Sequence, residues 1–345
     1  MSGKPAKRGA SKREASGGRA TSADVARLAG VSRSAVSRSF TPGTSIAPAT
    51  REKVFAAAAQ LDYRPNALAR ILNRGSSEIV GIVIGDLANP FYPYLLEQLT
   101  RRLQGDGYTS LLFTVGVDET VDGLIPLVMQ YQVSALIIAS ATLSSRLAQS
   151  CAERGLSVIL LNRTVPGALA NSVCCDNVMV GRMAADILSG AKRIAFVSGR
   201  ADTSTNVDRR TGFEQRLAEL GTGIHSIIEG EYRYDTAFSR IAERLRQPSR
   251  PDALFCANDI MALAALDAAR AVGLDVPGEL SVLGCDNIPA AAWPSYQLST
   301  IAQPLGAMLD KVIECIDNKP LEEEGTVHLV QPSYVERTTV QRRLG

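Results

Sequence analysis

The chain has 345 residues, of which 46% are apolar, and a formal net charge of +2. That length exceeds one average domain, and the apolar content is enough for more than one core. No run of about 18 apolar residues predicts a membrane span, and no apolar stretch follows the N-terminal charges, so a secretory signal is not expected.

The near-neutral total hides a division. The first 75 residues hold 14 Lys/Arg against four acids, which leaves 23 against 31 in the other 270. A basic front on an acidic body points to a polyanionic partner for the front alone. Six cysteines (Cys151, Cys174, Cys175, Cys256, Cys285, Cys315) are scattered, without CxxC or Cys/His clustering. The expectation is reduced thiols in a cytoplasmic protein, with no metal and no cofactor.

Residues 1–19 are rich in Gly, Ser, Ala, Lys and Arg, which predicts a disordered basic tail. It suits either an arm on DNA phosphates or a solubilising tail. The stretch TSADVARLAGVSRSAVSRSF (21–40) then reads as two short helices about a tight turn. Thr21 and Asp24 form a capping-box pair, Val25, Leu28 and Ala29 one apolar face, and Gly30 a left-handed stop. Ser32 caps a second helix over Arg33–Phe40, whose apolar side is Ala35, Val36 and Ser39/Phe40. Arg33, Ser34, Ser37 and Arg38 face outward. Such a helix start placed in a major groove reads base edges, and Arg can bridge guanine O6 and N7. With the two helix starts, the DNA-facing set is Thr21, Ser32, Arg33, Ser34, Ser37 and Arg38. A third helix is predicted over Pro48–Leu61, packing through Val54, Ala57, Ala58 and Leu61. Pro65 breaks it, and Asn66 to Gly75 forms a segment too short to be stable in isolation.

From Ile79 the pattern changes. The apolar run 79–84 has the signature of a buried parallel strand. Helix and strand then alternate: helix 94–105, strand 110–114, helix 120–131, strand 135–139, helix 144–154 and strand 157–161. A second series follows: helix 180–188, strand 193–197, helix 208–221, strand 223–229, helix 235–246, strand 253–256, helix 259–272 and strand 281–284. A last strand is predicted at 326–330. The alternation implies two doubly wound α/β units. Ligands of such sheets sit beyond the carboxyl ends of the strands, in a cleft. Asp86, Asn89, Phe91 and Tyr92 follow the first strand, and Asn258 and Asp286 follow later ones. Asp176 and Gln303 lie at crossovers between the units.

Several motifs occur together: DVARLAGVSRSAVSRSF (24–40), LDYRPNALARIL (61–72), IVGIVIGDLANPFY (79–92), RRTGFEQRL (209–217), FCANDIMALAAL (255–266), VPGELSVLGCDN (276–287) and LSTIAQP (298–304). In this order and spacing, from about residue 20 to 337, the chain resembles the lactose-repressor (LacI/GalR) family. The resemblance implies an α/β fold like that of periplasmic sugar-binding proteins behind a helix-turn-helix head. The head would span 20–64, a hinge helix 65–75 and the body 78–345. Within the body, subdomain one would cover about 78–173 and 304–320, and subdomain two about 174–303 and 321–340. It further implies that Asn66, Ala69, Arg70 and Leu72 of the hinge meet DNA, with Leu72 wedged into a base step of the minor groove, which unstacks and kinks the duplex. Arg209 matches an arginine that contacts ligand, and Tyr232 an aromatic position. With Asp86, Asn89, Phe91, Tyr92, Asp176, Asn258, Asp286 and Gln303 they make the expected ligand set.

Carboxylates, amides and arginine around aromatic faces suit a hydroxyl-rich small molecule, since buried hydroxyls need paired donors and acceptors. The sequence departs from the family at Ala47, where a serine commonly caps the third helix, at Asn287, where a second aspartate is frequent, and at Ile187, where a histidine is usual. The expected function is a ligand-controlled transcriptional regulator, acting as a repressor. It would be a homodimer on a palindromic operator, because no heptad segment marks the C-terminal stretch. The alternative is a solute-binding protein for transport, which would call for a secretion signal and no basic head. An enzyme is not expected: GxGxxG, GxxxxGK[ST] and GxSxG are all missing, and the two histidines sit in no motif.

Overall fold

The computed structural model describes residues 20–41, 43–64, 78–115, 121–139, 151, 155–165, 168, 170–317 and 325–341. The predicted tail, the hinge with Asn66, Ala69, Arg70 and Leu72, and helix 144–154 apart from Cys151 lie outside the described residues. The chain forms two compact units, Met1–Ser76 and Ser77–Gly345.

The first unit holds α1 (Ser22–Ala29), α2 (Arg33–Ser39) and α3 (Pro48–Gln60). The Asp24 carboxylate accepts from the Thr21 N–H at 3.0 Å and from its hydroxyl at 2.6 Å, which fixes the start of α1. Gly30, at φ +67°, ends it. The Ser32 hydroxyl accepts from the Ala35 N–H at 3.2 Å and opens α2. Ala47 provides no side-chain cap for α3, which begins instead on Pro48. Val25, Ala26, Val36, Val54, Ala57 and Ala58 form the core, with Leu61 and Phe40 against it. One expectation is corrected here. Leu28 is 47% exposed, and Ala26 takes the inward place beside Val25. Residues 25, 26 and 29 face the other helices, and 28 falls a turn-fraction off that stripe.

The second unit contains two six-stranded sheets. The first lobe comprises β1 (Ile79–Gly85), α4 (Phe91–Gly105), β2 (Thr109–Val115), a 3₁₀ turn (Val121–Leu124) with α5 (Ile125–Gln130), β3 (Ala135–Ala139), β4 (Ser157–Leu161) and β5 (Asn171–Cys175). The second comprises α6 (Asn177–Leu188), β6 (Ile194–Ser198), α7 (Ser204–Glu219), β7 (Ser226–Glu229), α8 (Tyr234–Leu245), β8 (Ala253–Cys256), α9 (Asp259–Ala271), β9 (Ser281–Asp286), a 3₁₀ turn (Pro289–Ala292) and β10 (Thr300–Ala302). The chain then returns to the first lobe for α10 (Leu305–Asp317) and β11 (Val327–Val330), and ends in the second with β12 (Ser333–Val335).

The strand orders are β11-β5-β4-β3-β1-β2 and β12-β10-β9-β8-β6-β7. All pairs are parallel except β10 with β12. The central strands are apolar end to end because helices cover both faces, and β3, β4 and β8 are buried throughout. In each sheet the order reverses about the first strand of the lobe, β1 or β6, and this reversal opens a crevice at the carboxyl ends.

The structure moves one subdomain boundary. Residues 327–330 were expected in the second lobe, but Val327–Val330 pairs with Ser172–Cys175 as an edge strand of the first sheet. The final crossing therefore falls at 331–332. Several helices also begin earlier than their apolar spacing suggests. α6 already begins at Asn177 and α7 at Ser204, and Asp176 caps α6 by accepting from the Met179 N–H at 2.9 Å.

Candidate functional site

Two surfaces carry chemistry, one on each unit. On the first unit, Arg33, Ser34, Ser37 and Arg38 all lie exposed along α2, while Val36 and Ser39 on the opposite side are 1% and 4% exposed. Thr21 and Ser32 are exposed at the two helix starts. Ser39 turns its hydroxyl inward and donates to the Ala35 carbonyl at 2.9 Å. Neither Arg33 nor Arg38 is engaged in an ion pair among the described residues, and α2 carries no acid. A convex helix with free guanidinium groups fits a major groove.

On the second unit a cavity of about 660 Å³ lies between the lobes. Its walls are the loops after β1, β4, β6, β7, β8 and β9 together with the start of α7. Asp86, Asn89, Phe91 and Tyr92 line it from the first lobe, and Arg209, Tyr232, Asn258 and Asp286 from the second. The backbone is left-handed at Asp86 (φ +50°), Asn162 (φ +59°), Tyr232 (φ +59°) and Asp286 (φ +130°). Backbone strain of this kind concentrates at ligand clamps.

Arg209 is the centre of the second-lobe wall and is 2% exposed. Its Nε donates to Asn177 Oδ1 at 2.8 Å, and its Nη1 donates to the Ala257 carbonyl and lies 3.7 Å from Asp286 Oδ1. Nη2 has no partner. Asp286 Oδ1 also accepts from Gln303 Nε2 at 2.7 Å. Burial pushes the Asp286 carboxyl up, against the pull of Arg209. Beneath it, the fully buried Asp259 accepts from the Thr300 hydroxyl at 2.6 Å and from the Ile288 N–H at 2.9 Å. Burial likewise raises Asp259, and those two bonds oppose it. Cys175, which faces Arg209, is pushed up to about 12 by burial, so it stays a thiol. All six cysteines are free and buried.

Tyr232 forms the aromatic wall. Its hydroxyl shares a hydrogen bond with Thr205 at 3.2 Å, and its ring lies flat on Gly199, where an added Cβ would sit 2.0 Å from Cζ. Only glycine leaves room for the ring at that point. Asn206, 5% exposed, accepts from the Gly199 N–H at 2.7 Å and so holds the loop beneath the ring. Asn258 serves twice: Oδ1 caps α9 through the Met261 N–H at 3.2 Å, and Nδ2 is buried with no partner.

Two residues of the expected ligand set do not line the cavity. Asp176 is spent on capping α6 and accepts from Gln331 at 3.3 Å. Gln303 acts one step removed, through Asp286, with Oε1 left unpaired. Asn287, in place of a second aspartate, accepts from Arg337 at 2.7 Å. Trp293 is 57% exposed and outside the cavity. The residue reading missed Asn162, Arg163, Thr205 and Asn206, all of which line it. Asn162 and Arg163 directly follow β4, so the rule that found Asp86 and Asn258 could have found them.

Comparison with known proteins places both units. Residues 21–66 match the model of bacterial regulatory proteins of the lacI family, and residues 187–340 match a periplasmic binding protein-like domain. The HTH-type transcriptional repressor PurR of Photobacterium profundum is 30% identical over 331 residues, covering 93% of this chain and 99% of that protein. PurR of Aliivibrio fischeri (strain ATCC 700601 / ES114) is 31% identical over 336 residues, covering 94% and 99%. Among solved structures, the Lac repressor dimer bound to operator and the anti-inducer ONPF superposes with a TM-score of 0.84 at 24% identity, covering 94% of this chain and all of that one, a likeness of fold. The transcriptional regulator CelR in complex with cellobiose gives 0.67 at 27% identity, covering 93% and 100%.

Proposed function

The chain belongs to the lacI family of bacterial regulatory proteins, and from that premise we propose how its two surfaces work as a ligand-controlled repressor. It is a DNA-binding transcriptional repressor with an effector-binding body. In our reading it binds a palindromic operator as a homodimer in the cytoplasm. Arg33, Ser34, Ser37 and Arg38 meet base edges, Thr21 and Ser32 meet backbone phosphates, and Asn66, Ala69, Arg70 and Leu72 meet the minor groove between half-sites. The effector is a sugar, sugar acid or polyol held between the lobes by Arg209, Asp286 and Asn258, with Tyr92 and Tyr232 against its apolar faces. Occupancy changes operator affinity only so far as the effector prefers one arrangement of the lobes over another.

The observation that carries this reading is the cavity itself, sized for a small molecule, with Arg209 Nη2 and Asn258 Nδ2 buried on its wall and unpaired. A purine is the second effector class, favoured by the PurR relatives and by the Phe91–Tyr92 ring pair, centroids 5.5 Å apart, beside which a flat base could stack. A thermal-shift screen of sugars, sugar acids, polyols and purine bases, with operator release as second readout, decides between them.

The DNA side has its own test. Arg33→Ala and Arg38→Ala are each expected to lower affinity for a selected operator by about 1–3 kcal/mol while affecting random duplex much less. Equal losses on both DNAs, measured by fluorescence anisotropy at one salt concentration, would refute base reading.

A further inference from the structure

The carboxylates of the cavity wall are already faced by cations. Asp202 is bound by Arg200 at 2.9 and 3.1 Å, and Glu229 and Glu231 by Arg240 at 3.2 and 3.4 Å. Asp286 has Arg209, and Asp86 sits in the field of Arg233. Of the wall arginines, Arg163 and Arg233 make no ion pair among the described residues, and each only feels a carboxylate at a distance, Asp202 and Asp86 respectively; of the two, Arg163 is the one with buried nitrogens left unpaired. Arg163 follows β4 on the first lobe, is only part-exposed, and has no carboxylate within ion-pair distance among the described residues. Its Nε and Nη1 are buried without an acceptor. Across the same cavity Arg209 Nη2 is equally unpaired. A half-buried cation with neither partner nor full hydration costs stability, and a fold carries it where a ligand completes it.

We infer that the effector carries an oxyanion, which Arg163 binds at the first-lobe end of the cavity while Arg209, Asn258 and Asp286 take its hydroxyls at the other. This rests on the effector reading above and narrows it to the acids of that group: hydroxylated carboxylates or sugar phosphates. Among the wall cations of the first lobe Arg163 is the specificity determinant, because its buried Nε and Nη1 have no protein acceptor among the described residues to leave. Neutral sugars would leave its guanidinium bare in a closed cleft, and the site would reject them for that reason.

The test uses matched compounds on the full chain: glucose, gluconate and glucose 6-phosphate, and galactose with galacturonate, alongside sorbitol and hypoxanthine. At least one acid is expected to raise the melting temperature where its neutral counterpart does not; gluconate against glucose 6-phosphate separates the two oxyanion sources. By calorimetry, Arg163→Gln should bind the best acid about 10- to 100-fold more weakly, the range for a charged hydrogen bond. Arg101→Gln, which removes an exposed arginine paired with Glu97 on α4, should bind it as the parent does. Without ligand, Arg163→Gln should melt no lower than the parent. The inference is overturned if a neutral compound outperforms its acid, if no acid shifts the melt, if Arg163→Gln keeps full affinity, or if ligand-free Arg163→Gln melts several degrees lower, which would assign the charge to the fold. Selection from random DNA, run on the parent, keeps the two readings apart: failure to enrich a palindrome sinks the repressor reading and leaves the anion result standing by itself.

Discussion

In the second lobe the cavity wall is bonded through to the core. Arg209 is held by Asn177 and Ala257, Asp286 by Gln303, Asp259 by Thr300 and Ile288, and Tyr232 by Thr205. The first-lobe wall is different. The Asn89 side chain accepts from the Phe91 N–H two residues on, at 3.1 Å, and among the described residues Asn162 Oδ1 and two Arg163 nitrogens have no partner. Both walls keep buried polar atoms unpaired among the described residues, Arg209 Nη2 and Asn258 Nδ2 on the second lobe included, but on the second lobe those side chains are fixed by their other bonds, and on the first Arg163 is not. Pre-organisation cuts the ordering cost of binding, so the second-lobe wall is the one whose polar groups are already held in place.

The sharpest way to break this contrast is to remove Arg209. Arg209→Leu strands Asp286 and Asn177 in a dry interior, and removing one partner of a buried pair costs about 3–5 kcal/mol. Urea unfolding should show a loss of that size. Arg209→Leu/Asp286→Leu should recover part of it, since the stranded charge goes as well. If the double variant were as unstable as the sum of the singles, the two residues would not act as one unit.

A smaller effect separates the lobes by pH. The folded Asp286 carboxyl titrates above its ordinary value of 3.8 because burial disfavours the charged form. Between these two values the native state keeps a proton that the unfolded chain has lost. Stability contributed by the protonated group is thus fully present at or below the ordinary value and is lost as pH rises toward the folded one, by at most about 1.4 kcal/mol per pH unit. Asp286→Asn should flatten that part of the urea midpoint against pH. An unchanged slope would show that Asp286 does not carry the proton, and Asp259 would be the next group to replace.

The two lobes were also unequally legible in the sequence. Strands such as Ala135–Ala139 and Ala253–Cys256 read directly, because a strand covered on both faces must be apolar throughout. Asn171–Cys175 did not, since its Asn and Ser are buried through bonds to distant chain, as where Asn171 accepts from the Thr326 N–H at 3.1 Å. β11 alternates outward Val327 and Leu329 with inward residues, and that pattern does not say which sheet it joins. Position after a strand pointed to Asp86, Asn258 and Asp286, and the family motif added Arg209 and Tyr232; all five line the cavity. Asp176, expected at a crossover between the units, caps α6 instead of lining the cavity, because a carboxylate one residue before a helix meets first-turn N–H groups that are otherwise unpaired. Arg163 follows β4 and so was within reach of the rule of position after a strand, but that its Nε and Nη1 are buried without an acceptor among the described residues is a three-dimensional property the sequence does not carry.

The smallest effect is expected at the rim of the first lobe. Asp86 is exposed, has a left-handed backbone at φ +50°, and its carboxylate accepts from the nearby Asn89 N–H, a bond that an asparagine oxygen can keep. Asparagine tolerates that conformation as well as aspartate does, so Asp86→Asn removes the charge and little else. Its free energy of unfolding should stay within about 0.5 kcal/mol of the parent, as for surface sites away from a network. The charge matters across the cleft instead, where Asp86 lies in the field of Arg233 and Arg200. That attraction is screened by salt over about 10 Å at 0.1 M. Effector affinity of the parent should therefore fall with added salt more steeply than that of Asp86→Asn. A loss of more than 1 kcal/mol in folding stability, with parallel salt curves, would instead place Asp86 in a bonded wall like that of the second lobe and erase the difference between the two.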